Sequence, residues 1–236
     1  MRVLILGGTA EARDLAEALV GDGDEVLTSL AGRVARPRLP VGRTRIGGFG
    51  GAAALAAYAR AFDVVVDATH PFAATISAHA AQVEVPLLRL ARPGWDDPGD
   101  WHWVEDHDSA ATVTAGLGQR PFLTIGRQSL GRFVEPLRHH DVLARVVDPP
   151  DDVLPDRWRL LLDRGPYDHD RERALMVEHR TDVLVTKDSG GSHTHAKLEV
   201  ARERSVAIVV VARPGPPEGV SCVDDVDAAR RWVRAR

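Results

Sequence analysis

Apolar residues fall along this chain in short, nearly unbroken runs: Val3 to Leu6, Val64 to Val66, Leu87 to Leu90, Leu123 to Ile125, Val183 to Val185 and Ile208 to Val211. Runs this apolar leave no face for water. They are expected to be strands of a parallel sheet covered on both sides. Between them lie stretches rich in alanine, among them Ala10 to Val20, Ala52 to Ala61, Ala73 to Gln82 and Thr194 to Glu203, which read as helices. Strand and helix in regular alternation predict an α/β fold.

The pattern repeats. DVVVDATHPF from Asp63 is matched by DVLVTKDSGG from Asp182, and VPLLRLARPG from Val85 by VAIVVVARPG from Val206. VEDHDSAA from Val104 is matched by VDDVDAAR from Val223, and LILG from Leu4 by LTIG from Leu123. Four matches in one order predict two similar Rossmann-like, parallel-sheet domains, 1–118 and 119–236, meeting near Gly118 with a cleft between them. Ligands of open parallel sheets bind outside the C-terminal ends of the strands, so the loops that follow each strand are where chemistry is expected.

Composition narrows the function. The formal net charge is −4, which leaves no broad basic surface for nucleic acid or acidic lipid. Anionic ligands must then be met by local arginines, since Lys187 and Lys197 are the only lysines. No apolar run approaches the roughly 18–20 residues that span a bilayer, and the chain opens on a strand rather than a secretion signal, so a cytoplasmic location is expected. A single cysteine, Cys222, excludes an internal disulfide framework and reads as a small apolar filler.

The first strand ends in Gly7-Gly8-Thr9-Ala10-Glu11-Ala12. Glycines at this point let the backbone approach a phosphate, and the N–H groups and dipole of the following helix attract it. The string is GGTAEA rather than G-x-G-x-x-G, so a plain tight turn with Thr9 as helix cap is the alternative. The second strand, Glu25 to Leu30, sharpens the case. A site for NAD places a carboxylate at the end of this strand to take the ribose 2′-OH. Here the position holds Ser29, followed by Gly32 and Arg33. A hydroxyl and a guanidinium accept a 2′-phosphate that a carboxylate would repel, which favours NADPH over NADH. The loop Gly47-Gly48-Phe49-Gly50-Gly51 implies either close approach of a ligand or a mobile segment over Phe49.

The third strand runs into Thr69-His70-Pro71-Phe72. Pro71 suits a first helical turn, which puts His70 near the N-cap, able to donate a proton or bind a carboxylate. The matching loop of the second half carries Lys187, Ser189, Gly190 and Thr194, with Lys197 in the helix beyond, a set that resembles an anion cradle. Arg89, Arg92, Arg127, Arg145 and Arg164 each stand at or just past an expected strand end, where they would suit a carboxylate-rich ligand. His193 and His195 lack cysteine or carboxylate partners at metal spacing, and no metal site is expected. Two rivals remain on these residues alone: another NADP-dependent oxidoreductase with a small substrate, or a non-catalytic protein of two lobes closing on a small anion or sugar.

Taken together, ILGGTAEARDLA, SLAGR, GGFGG, DATHPFA, RLARPGW, TIGRQ, RGPY and TKDSGG resemble the precorrin-6A reductase family, over Arg2 to about Pro214. The resemblance implies two Rossmann-like domains binding NADPH, and hydride transfer to the precorrin-6A macrocycle, giving precorrin-6B in cobalamin biosynthesis. Some members of the family take a cobalt-containing substrate. It further implies that Gly7, Gly8 and Thr9 meet the pyrophosphate and that Ser29 and Arg33 lie near the 2′-phosphate. Thr69, His70, Pro71, Phe72, Lys187, Ser189, Gly190 and Thr194 would line the active cleft.

Overall fold

The computed structural model describes residues 1–32, 37–191 and 194–236. It contains two six-stranded parallel sheets. The first is built on β1 (Arg2–Leu6), β2 (Glu25–Leu30), β3 (Arg43–Ile46), β4 (Val64–Asp67) and β5 (Leu87–Leu90). The second is built on β7 (Pro121–Leu123), β8 (Leu143–Val146), β9 (Arg159–Leu162), β10 (Val183–Lys187) and β11 (Ala207–Val211). Each has the strand order of a dinucleotide-binding sheet, with the order reversing beside its first strand, between β1 and β4 and between β7 and β10.

The sixth strand of each sheet comes from the other half of the repeat. β6 (His102–Val104) pairs with β11, and β12 (Ser221–Val223) pairs with β5. The helices that follow go with them: α4 (His107–Leu117) packs on β11, and α8 (Val226–Arg234) packs on α1 (Ala10–Gly21). The compact units are therefore Met1–Pro93 with Pro214–Arg236, and Gly94–Arg213. This corrects the expected division into 1–118 and 119–236. The repeat is present in sequence, but its last strand and helix add to the opposite sheet, and the chain crosses at the two ARPG strings. Strand pairing, which joins residues far apart in sequence, decides this, so local patterning carries no sign of it. In the first unit Asp22, just past α1, anchors the returning α8 through Arg230, whose Nε donates to Oδ2 at 2.6 Å.

β1 shows why its sequence is so apolar. Val3 and Ile5 pack under α1 and α8, while Leu4 and Leu6 pack under α2 (Ala52–Ala59) and α3 (Ala74–Ala80). Alternate side chains of one strand thus serve two cores, and each of these four is at most 1% exposed. In the second unit Phe122, Leu143, Leu184, Ile208 and Val210 meet Met176 of α6 (His169–His179) and Leu198 of α7 (Ala196–Glu203), with Trp95 and Trp101 at the margin. The strand expected at Leu123 to Ile125 starts two residues earlier, because its ladder to β10 begins at Pro121 opposite Val183. No helix among the described residues is long and apolar enough to cross a membrane.

Candidate active site

The glycine loop after β1 lies at the switch point of the first sheet. Gly7 donates its N–H to the Ser29 carbonyl at 2.9 Å, and a Cβ on Gly7 would meet Thr28 Cγ2 at 2.7 Å. Only glycine fits there. Gly8 has φ +124°, in the region that L side chains avoid, with open space where a Cβ would stand. Thr9 caps α1: its Oγ1 accepts from the Ala12 N–H at 3.1 Å and donates to the Ala68 carbonyl at 2.8 Å, tying the loop after β1 to the one after β4. The hydroxyl of Thr9 is thus committed to the fold, and what the loop offers a ligand is backbone. Backbone N–H groups at a helix start, beside an open glycine, fit the phosphates of a dinucleotide. Glu11 in the same turn is neutralised by Arg92, whose Nη1 lies 2.8 Å from its carboxylate. Burial opposes its ionisation, but backbone N–H bonding and Arg92 outweigh that and hold its pKa below the usual range.

At the end of β2, Ser29 is buried and its Oγ accepts from Arg45 Nη1 at 2.9 Å. Gly32 has φ +75° and sits against Ile46. Arg33 lies outside the described residues, as do Ser192 and His193. Arg45 itself escaped the sequence reading. It belongs to β3, whose Arg-Thr-Arg-Ile string lacks the apolar character of the other strands because it lies at the sheet edge. The signal that would have found it is the glycine loop one residue beyond Ile46.

After β4, Thr69 stands in a buried network. Asp67 Oδ2 pairs with Arg89 Nη1 at 2.6 Å, and Asp67 Oδ1 accepts from the Thr69 hydroxyl at 2.7 Å and its N–H at 3.1 Å. Arg89 Nη1 also reaches Thr69 Oγ1 and Ser77 Oγ, each at 3.0 Å. Thr69 is 7% exposed and Arg89 4%, so both work within the protein. They hold the next residue, His70. Its Nδ1 accepts the Phe72 N–H at 3.2 Å, which leaves the proton of a neutral ring on Nε2. Pro71 does not start the helix as expected. Residues 70–73 form a turn closed by the Ala73 N–H on the His70 carbonyl at 2.8 Å, and α3 begins at Ala74. Pro71 is buried, and the Phe72 ring centroid lies 5.9 Å from that of His70.

The second unit repeats the arrangement with different side chains. Lys187 ends β10, and a Cβ on Gly126, which has φ +83° in the loop after β7, would stand 3.7 Å from Lys187 Nζ. The two groups flank that sheet's switch point. Burial pushes the Lys187 ammonium down to about 8, and burial together with Lys187 pushes His107 at the start of α4 down to about 4. Asp188 accepts from Arg213 Nε at 2.7 Å and from the Trp95 N–H at 3.1 Å, which pins the strand end below Ser189. Gly190 and Gly191 follow with φ +63° and +78°. Arg127 opens the turn after Gly126 and donates to the Pro149 carbonyl at 3.2 Å. Thr194 lies two residues before α7, whose N-cap is His195.

Lys197 is interior, and three of the expected arginines meet acids of the protein. Lys197 is 4% exposed on the buried face of α7, with Nζ 5.0 Å from the Trp95 ring centroid. Of the expected arginine set, Arg89 pairs with Asp67, Arg92 with Glu11, and Arg145 with the fully buried Glu172. Arg145 also stacks 3.7 Å from the Tyr167 ring centroid. Their partners come from other elements, which spacing along the chain does not reveal.

Comparison with known proteins agrees with this geometry. Residues 2–234 match the family model described as precorrin-6x reductase CbiJ/CobK. The chain is 51% identical to the precorrin-6A reductase of Rhodococcus erythropolis, over 98% of this chain and 97% of that protein. It is 50% identical to that of Mycobacterium tuberculosis, with the same coverage. Among solved structures it is similar to the CobK precorrin-6A reductase, with a TM-score of 0.88 at 36% identity, covering 100% of this chain and 96% of that one.

Proposed function

The chain belongs to the precorrin-6x reductase family and is a reductase of precorrin-6A; from that premise we propose that NADPH is its hydride donor, held by the first compact unit. The observation that carries this reading is the open glycine loop at the first sheet's switch point, followed by a β2 end that holds Ser29 in place of a carboxylate. NADPH supplies the hydride; the protein supplies position and charge. Gly7, Gly8 and the start of α1 take the pyrophosphate, Ser29 and Gly32 lie on the 2′-phosphate side of the ribose, and Arg33 follows them in the sequence. Thr69 acts through the Asp67 network, which sets the turn bearing His70, Pro71 and Phe72 against the nicotinamide end. Arg127, Lys187, Ser189, Gly190 and Thr194 offer cations and polar groups to the carboxylates of the tetrapyrrole.

Titration of the protein with NADPH and separately with NADH, followed by nicotinamide fluorescence, tests the cofactor. Preference for NADPH of about tenfold or more is expected from added charge-assisted bonds. Equal affinity removes the assignment. His70 stands past the end of β4, where its ring N–H can bond one of the macrocycle's carboxylates and its imidazolium form can give a proton to the macrocycle. As a proton donor or orienting group it should lower kcat when changed to Ala, by about 10²-fold or more. A carboxylate anchor would instead raise KM with kcat kept. Unchanged kinetics would remove His70 from the mechanism.

A further inference from the structure

We propose that Arg45 is the residue that reads the 2′-phosphate and so sets the preference for NADPH, an inference that rests on the cofactor reading above. β3 lies beside β2 in register, Arg45 opposite Ser29, so both side chains stand at the end of the sheet where the adenosine ribose of a dinucleotide lies. Arg45 Nη1 donates to Ser29 Oγ at 2.9 Å and to the Gly47 carbonyl at 3.1 Å, and Nη2 donates to the Gly48 carbonyl at 3.0 Å. Its guanidinium carbon lies 4.1 Å from the Phe49 ring centroid and 5.4 Å from that of Tyr58.

Three features separate Arg45 from the other arginines of this unit's strand ends. First, it has no carboxylate partner among the described residues; every acceptor it reaches is neutral, whereas Arg89 and Arg92 are each paired with an acid. Its positive charge is therefore available to an anion. Second, three of the five guanidinium N–H groups are occupied, which leaves donors on Nε and Nη2, adjacent nitrogens suited to a bidentate phosphate contact. Third, the aromatic face and the two glycine carbonyls hold the plane in place while the residue stays partly exposed, so little freedom is lost on binding. The bond to Ser29 turns the hydroxyl oxygen into an acceptor for Arg45 and leaves its own O–H to donate to a phosphate oxygen. The glycine loop 47–51 thus works as the support of a phosphate-reading arginine.

The test is calorimetric binding of adenosine 2′,5′-bisphosphate and of 5′-AMP to the wild-type protein, Arg45→Leu and Arg45→Lys. Wild type should bind the bisphosphate about 10- to 100-fold more tightly than 5′-AMP. Arg45→Leu should erase that difference while retaining 5′-AMP binding. Arg45→Lys, which keeps the charge but not the fork, guards against loss of folding in the leucine variant and should retain only part of the difference. If wild type discriminates and both variants discriminate equally well, Arg45 is only a clamp for the glycine loop and the inference fails while the NADPH reading stands. If wild type binds the two ligands equally, the NADPH reading fails and takes this inference with it.

Discussion

Replacing Asp67 by Ala should lower the free energy of unfolding by about 3–5 kcal/mol, the cost of leaving one partner of a buried ion pair uncompensated. Asp67 and Arg89 have side chains 3% and 5% exposed, so solvent cannot take over for the missing carboxylate. The same substitution removes the acceptor for the Thr69 hydroxyl and N–H, and with it the brace behind the His70 turn. Catalysis should therefore fall even at temperatures where the variant is folded. Denaturant unfolding gives the first number, and steady-state kinetics on the folded fraction give the second. Asp67→Asn keeps the shape and a carbonyl acceptor, and should lie between wild type and the alanine variant in both. Stability within about 1 kcal/mol of wild type for Asp67→Ala would mean that Arg89 finds another partner, and the account of the network would be wrong.

The second large effect concerns the cluster of Glu172, Arg145 and Lys197 in the other unit. One fully buried carboxylate faces two buried cations. Burial, with a further contribution from Arg145, pushes the Lys197 ammonium from its usual 10.5 down to about 7, against the pull of Glu172. The sign of the pH dependence follows. Between pH 7 and 10.5 the unfolded chain holds the Lys197 proton and the folded one releases it, so this group makes stability rise with pH across that window. Below pH 7 both states are protonated and the full cost of burying the charge applies. Lys197→Met should then stabilise the protein by a few kcal/mol at pH 6, with the gain fading toward pH 10. Glu172→Gln, which strips both cations of their counter-charge, should cost about 3–5 kcal/mol at pH 6. Unfolding curves of the three proteins at pH 6, 8 and 10 decide the matter. A gain for Lys197→Met that does not change with pH would show that folding does not lower the Lys197 pKa, and the account of this cluster would be wrong.

Much of the first unit's candidate cofactor site is legible in the chain. The run from Val3 to Leu6 ends in two glycines and a helix cap, and each of those features acts within a few residues of itself. Ser29 is legible for the same reason, since the end of a strand shows in its hydrophobic pattern. His70 stands just past β4, in a turn rather than at the expected helix start, because Pro fits both. Arg45 was missed because an edge strand has one face and one side open, so its sequence need not be apolar.

The chain by itself determined the strands, the helices between them, the glycine turn after β1 and the existence of a repeat, since periodicity, β-branching and turn chemistry are local properties. Only the tertiary structure decided that β6 and β12 change sheets at the ARPG strings. It alone showed that Lys197 is interior and that Arg89, Arg92 and Arg145 answer acids of the protein while Arg45 answers none among the described residues. These outcomes depend on which residues meet across the sheet and between elements, and a charge's role is set by the partner that packing brings to it.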